Sequence, residues 1–127
     1  ELLENVDILI PNATEAKIIS GIEIKEKASA KQAISNIMAK GVKAVVVTIG
    51  AHGALLYENG ELINIPAFHV HPVDTTAAGD TFCGALCVAL SNHYSLKEAV
   101  GFANKASSIS VTRKGAQTSI PFAKELC

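Results

Sequence analysis

Val6-Asp7-Ile8-Leu9-Ile10-Pro11-Asn12-Ala13-Thr14-Glu15 sets a short apolar run against a proline stop, followed at once by a pattern that starts helices. Residues 6–10 read as a buried strand. Asn12, with Glu15 three positions on, forms a capping box for a helix that ends near Gly21. An amphipathic helix follows over residues 29–40, with Ala30, Ala33, Ile34, Ile37 and Met38 on one stripe and Gly41 as its stop. Residues 44–48 are a second buried strand. Strand, helix and strand in that order predict a parallel pair with a right-handed crossover, and hence an α/β fold.

Downstream the periodicity changes. Gly50-Ala51-His52-Gly53 turns the chain into an apolar run at residues 54–57, Glu58-Asn59-Gly60 makes a hairpin turn, and residues 61–66 return as an antiparallel partner. Phe82, Ala85, Leu86, Ala89 and Leu90 follow helical spacing over residues 78–93. A last helix over residues 96–112 carries two apolar stripes, Ala99, Val100 and Ala103 on one and Phe102, Ala106 and Ile109 on the other, so burial on two sides is expected. No repeat or linker interrupts the chain, and one domain over residues 1–127 is the reading.

Composition narrows the function classes. At 127 residues and 49% hydrophobic the chain is long and apolar enough to bury a core. A net charge of −1 gives no basic footprint for nucleic acid or an anionic membrane, and no apolar run reaches the length of a membrane span. Cys83 and Cys87 share one predicted helix face and are expected as reduced, buried thiols, too few for a zinc site. His69 and His71 alternate as at a solvated strand end, and Cys127 receives no role.

The chemistry concentrates in Asp74-Thr75-Thr76-Ala77-Ala78-Gly79-Asp80-Thr81-Phe82, a small-residue turn opening a helix. The first N–H groups of a helix lack intrahelical partners and carry the positive end of its dipole, which suits an anion. Ala77, Ala78 and Gly79 leave room for a phosphoryl group to reach the backbone, and Asp80 stands where a carboxylate would take the proton of an attacking hydroxyl. Asp80 as an ordinary first-turn acid beside helix-forming alanines explains the same residues. Likewise Gly50-Ala51-His52-Gly53 is either a phosphate cradle at the carboxyl edge of the sheet or a tight turn. It is neither a P-loop nor a dinucleotide fingerprint. Small residues at Ala106, Ser107, Ser108 and Ser110 admit either a flat ring or close core packing, and Arg113 with Lys114 complements a helix end.

The Asp74–Phe82 stretch resembles the second signature of the ribokinase, or phosphofructokinase-B-type, family of sugar kinases. Asn12-Ala13-Thr14-Glu15 resembles that family's Asn-x-x-Glu motif, and Thr48-Ile49-Gly50-Ala51-His52-Gly53 its Thr-x-Gly-x-x-Gly loop. Val111-Thr112-Arg113-Lys114-Gly115-Ala116-Gln117 with Ser119 resembles its closing segment. All four stand in the family's order. The resemblance implies a three-layer α/β/α sandwich, mostly parallel with an antiparallel hairpin, of which this chain is the C-terminal, nucleotide-side portion. It implies phosphoryl transfer from ATP to the 5-hydroxyl of D-ribose, with another sugar or nucleoside acceptor such as fructose or adenosine, or nucleotide binding without catalysis, as alternatives.

By the same resemblance, Asp80 is the base that meets the sugar, and the amides of Ala78, Gly79 and Asp80 form the anion hole. ATP is expected at Asn12, Thr48, Ile49, Gly50, Ala51, His52, Gly53, Gly79, Asp80 and Asn104. Glu15 is expected to hold magnesium through water. A potassium-like cation is expected on oxygens of Asp74, Thr76, Ser110, Arg113, Gly115 and Ser119, most through backbone carbonyls, and hard oxygen donors suit it. The implied partners are a small sugar and ATP, with no nucleic acid or membrane, a cytoplasmic setting, and a homodimer formed through an N-terminal portion that this chain lacks.

Overall fold

The computed structural model describes all of residues 1–127, which divide into two compact units. The first comprises residues 1–50 and 54–64, the second residues 51–53 and 65–127.

The first unit carries β1 (Ile8–Leu9), α1 (Ala13–Ser20), α2 (Lys27–Met38), β2 (Ala44–Thr48), β3 (Ala54–Glu58) and nearly all of β4 (Glu61–Ile65). The strands lie in sequence order in one sheet. β1 runs parallel to β2, pairing Ile8 with Ala44 and Leu9 with Val45, as the strand–helix–strand order requires. β2 and β3 are antiparallel, with Val46 opposite Leu56. Asn59 and Gly60 turn the chain from β3 to β4 with φ of 51° and 84°, the double positive φ of a hairpin turn that Asn-Gly supplies at low steric cost. The sheet is thus mixed, a parallel β1–β2 pair joined to the expected antiparallel hairpin.

Only two residues of the expected first strand form ladder structure, because Pro11 has no N–H to extend it and Asn12 already belongs to the helix cap. An isolated parallel bridge between Asn12 and Thr48 carries the pairing one step further. α1 starts with the full capping box: the Glu15 N–H donates to Asn12 Oδ1, and the Asn12 N–H donates to Glu15 Oε2, each at 2.9 Å. α2 begins two residues earlier than its apolar stripe suggests. Its cap inverts the usual order, with Glu26 at the N-cap and the Ser29 hydroxyl accepting the Glu26 N–H at 3.0 Å. Ala16, Ile34, Ile37, Val42, Val45 and Val47 form the core, flanked by Leu9, Met38 and Leu55.

The second unit is built on α3 (Ala78–Ser91) and α4 (Leu96–Ser110), joined by residues 92–95 into an antiparallel hairpin. Ser95 caps α4 through a further box with Glu98, and the Tyr94 and Phe102 rings meet edge to face at 6.0 Å. Phe82, Leu86, Ala89, Leu96, Ala99, Val100, Ala103 and Ala106 are buried, whereas Phe102 and Ile109 of the second α4 stripe are only half-buried, so the two-sided burial expected of α4 is partial. Cys87 is exposed and Cys83 only half-buried, so the paired thiols do not lie in the core as expected: their helix face is the outer one. Short 3-10 turns at Gln117–Ser119 and Ala123–Glu125 complete the unit.

Packing predicts a sharp contrast within the first unit. Ile37, with no exposed surface, should cost about 2–5 kcal/mol when changed to alanine, from lost burial and the cavity left behind. Ile18, 77% exposed one helix away, should shift stability by no more than about 0.5 kcal/mol. Urea unfolding of Ile37→Ala and Ile18→Ala measures both.

Candidate active site

The start of α3 has an unusual property for a helix end. Its N-cap position is Ala77, which has no side chain able to accept a hydrogen bond. The Ala78 N–H reaches the Thr75 carbonyl at 3.2 Å, and the Thr81 N–H the Ala77 carbonyl at 2.9 Å. The Gly79 and Asp80 N–H groups between them donate to no acceptor in the chain. Nothing lies within 4 Å of where a Gly79 side chain would begin, and Gly79 and Asp80 are both exposed. Two uncapped donors at the positive end of a 14-residue helix, beside a carboxylate and with open space above, can accept an oxyanion and a proton donor together. Of the three amides expected in the anion hole, Ala78 is the one with a partner already.

Asp74 fastens the turn in front of that helix. Its Oδ1 accepts the Thr76 N–H at 2.9 Å and the Thr76 hydroxyl at 2.5 Å, while Oδ2 accepts the Gly115 N–H at 3.0 Å. The Val73 and Asp74 N–H groups both donate to the Val111 carbonyl. The closing segment is thereby tied to the turn 41 residues upstream. The Thr76 hydroxyl first, then the amides of Gly115 and Thr76, hold the Asp74 carboxyl down at about 2.

A buried line of hydroxyls runs behind the same turn. Thr81 Oγ1 donates to Ser110 Oγ at 3.3 Å, Ser110 and Ser119 Oγ lie 2.9 Å apart, and Ser119 Oγ donates to the Ala116 carbonyl at 2.7 Å. Each hydroxyl has one proton, so the direction is fixed from Thr81 through Ser110 and Ser119 to the carbonyl. Arg113 pairs with Glu125, whose other oxygen accepts the Phe122 N–H at 2.8 Å. Asp74, Thr76, Ser110, Gly115 and Ser119, expected around one cation, are thus joined in one hydrogen-bonded neighbourhood. One carboxylate among hydroxyls and carbonyls is a donor set suited to a weakly bound monovalent cation. No group of three or more His, Cys, Asp or Glu side chains gathers anywhere in the chain.

The other residues expected to meet the nucleotide fall in two places. In the first unit Asn12 and Thr48 meet at the carboxyl ends of β1 and β2, where the Thr48 N–H donates to the Pro11 carbonyl at 3.0 Å. Asn12 and Glu15 are engaged in their capping box, which leaves Glu15 Oε1 as the free acceptor of that exposed pair. Ile49 and Gly50 follow directly. In the second unit Gly53, at φ 92°, sits so close to residues 65–67 that a Cβ would fall 2.1 Å from the Ile65 carbonyl oxygen. Only glycine fits there. Asn104, buried, donates its side-chain amide to the Ile65 and Pro66 carbonyls at 3.0 and 3.2 Å, gripping the backbone on which Gly53 rests. Ala51 and His52 are exposed. A cleft of about 230 Å³ runs from Asp80 along α3 and α4, walled mainly by Gly84, Ala85, Val88, Phe102 and Ile120.

The cross-helix partners of Thr81 and Ser107 were not foreseen from the sequence. Ser107 Oγ donates to the Ala78 carbonyl at 3.1 Å, and Thr81 reaches Ser110, each across 29 residues. A small polar residue on a helix face carries no signal of a partner that distant.

Asp74 generates a pH prediction. Its folded-state pKa of about 2 lies below the ordinary 3.8, so its stabilisation is complete above 3.8 and is lost as pH falls toward about 2. Urea midpoints measured down that range should decline more steeply for the native chain than for Asp74→Asn, whose amide does not titrate there.

Residues 1–123 match the family described as pfkB family carbohydrate kinase. The ribokinase of Haemophilus influenzae is 46% identical over 98% of this chain and 41% of its own length. The Thermotoga maritima ribokinase structure superposes with a TM-score of 0.85 at 42% identity, covering 98% of this chain and 42% of that one. The Arabidopsis thaliana ribokinase, solved with ribose and ATP, gives a TM-score of 0.93 at 38% identity over 98% of this chain and 41% of that one. The chain therefore spans about two fifths of the length of these relatives. With the ribokinase-like α/β fold and the family match covering nearly every residue, the chain belongs to the pfkB family of carbohydrate kinases.

Proposed function

We propose that this chain is the C-terminal, ATP-binding part of a ribokinase, which transfers the γ-phosphoryl of ATP to the 5-hydroxyl of D-ribose. The observation that carries the reading is the uncapped start of α3, with the Gly79 and Asp80 amides unpaired beside the Asp80 carboxylate. The Arabidopsis relative's complex with ribose and ATP supports the same pair of ligands.

In this reading the γ-phosphoryl lies against the Gly79 and Asp80 N–H groups, with Ala78 keeping the approach narrow and uncluttered. Asp80 accepts the proton of the ribose 5-hydroxyl as its oxygen forms the bond to phosphorus. The bond to the bridging oxygen breaks, and ADP carries the electron pair away. The amides stabilise the charge that develops on the transferred group, the larger part of catalysis in phosphoryl transfer. Asn12, Thr48, Ile49, Gly50, Ala51, His52 and Gly53 hold the nucleotide, with Asn104 setting the backbone under Gly53.

Glu15 would hold magnesium through water, since that ion keeps much of its hydration and takes few protein carboxylates. Bound there, it supplies charge neutralisation to the phosphates. Potassium would be held by oxygens of Asp74, Thr76, Ser110, Arg113, Gly115 and Ser119, and supplies fixed positive charge that orders the turn. The apolar wall of the cleft beside Asp80 gives sugar hydroxyls few partners, which supports sugar contacts supplied mainly from outside these residues.

Asp80→Asn in the full-length protein should lower turnover by about a hundredfold or more, the scale of a lost general base, with ATP affinity little changed. Steady-state kinetics with ribose and calorimetric ATP titration measure the two quantities. A fully active Asn variant contradicts the assignment.

A further inference from the structure

We infer that Thr81 and Ser107 are positioning residues that take the place of the missing cap on α3, holding its first turn to α4 so that the Gly79 and Asp80 amides stay unpaired and aimed. The inference rests on the phosphoryl site proposed above. A helix start is ordinarily fixed by a side chain that accepts its first N–H groups. Here that solution would block the donors an anion needs. The turn is fixed instead from its other polar groups. Ser107 donates to the Ala78 carbonyl, one residue before Gly79. Thr81, 4% exposed and one residue after Asp80, donates to Ser110. The two bonds bracket Gly79 and Asp80 and use neither of their N–H groups.

Both choices run against local preference. A serine or threonine inside a helix commonly bonds back to its own preceding turn, yet Ser107 and Thr81 reach across to the partner helix. From Ser110 the line continues through Ser119 to the Ala116 carbonyl, beside the Gly115 amide that Asp74 accepts. The first turn of α3 is thereby tied to α4 at Ser107 and Ser110, and the turn in front of it to Gly115.

The test uses Thr81→Val, which keeps the shape and removes the donor, and Ser107→Ala, with Thr81→Ser and Ser107→Thr as the conservative pair, all in the full-length protein. Small misplacement of reacting groups costs up to about a hundredfold. Thr81→Val and Ser107→Ala should each lower kcat about tenfold or more with KM for ribose little changed, and shift the Gly79 and Asp80 amide NMR resonances. Thr81→Ser and Ser107→Thr should restore both readouts. Lower urea stability with unaltered kcat and unaltered amide resonances would make the hydroxyls purely structural and overturn the inference. Asp80→Asn run alongside separates the two readings: if it remains active, the phosphoryl site itself fails; if it is inactive while Thr81→Val is normal, only the positioning role fails.

Discussion

Four N–H groups at every helix start need acceptors, and at α3 those of Ala77, Gly79 and Asp80 have none in the chain. That single constraint organises the second unit. An alanine at the cap and open space over Gly79, beside the acid at Asp80, make the proposed site, and the first two remove means of fixing the backbone there. The fixing comes from elsewhere: Asp74 bonding Thr76 and Gly115, Ser107 holding the Ala78 carbonyl, and Thr81 joined to the buried serines. The turn is held by polar groups other than the Gly79 and Asp80 amides that the proposed phosphoryl site would use.

The first unit treats the same problem differently. At α1 both ends of the capping box are filled, and Asn12 and Glu15 bond each other's backbone. A structural role and a ligand role are compatible there, because a carboxylate accepting one amide keeps a second oxygen for a hydrated cation. The box also fixes Asn12 beside Thr48, so the helix start and the edge of β2 are set as one piece.

Much of this was legible in sequence, since its signals are local. The capping box at Asn12, the Asn59-Gly60 turn and the stripe of α2 each depend on residues within a few positions. The inverted box at Glu26 hid the true start of α2, because glutamate at the cap and serine at the third position reverse the usual pattern. The parallel pair and the hairpin of the sheet were both expected, while Pro11 cuts β1 shorter than its apolar run suggests. Among site residues, Asp80 and the small turn announce themselves by composition. Asn104, Thr81 and Ser107 do not, since their partners lie 29 to 39 residues away and no periodicity encodes such pairs.

The start of α3 is either a phosphoryl site, as proposed, or an ordinary helix end. NMR titration of this chain with ATP separates the two most directly. The account predicts saturable shifts of the Gly79 and Asp80 amides, reproduced by the nucleotide's phosphates and absent with adenosine. ATP titration that leaves both amides unmoved, while perturbing residues elsewhere or none, would contradict it.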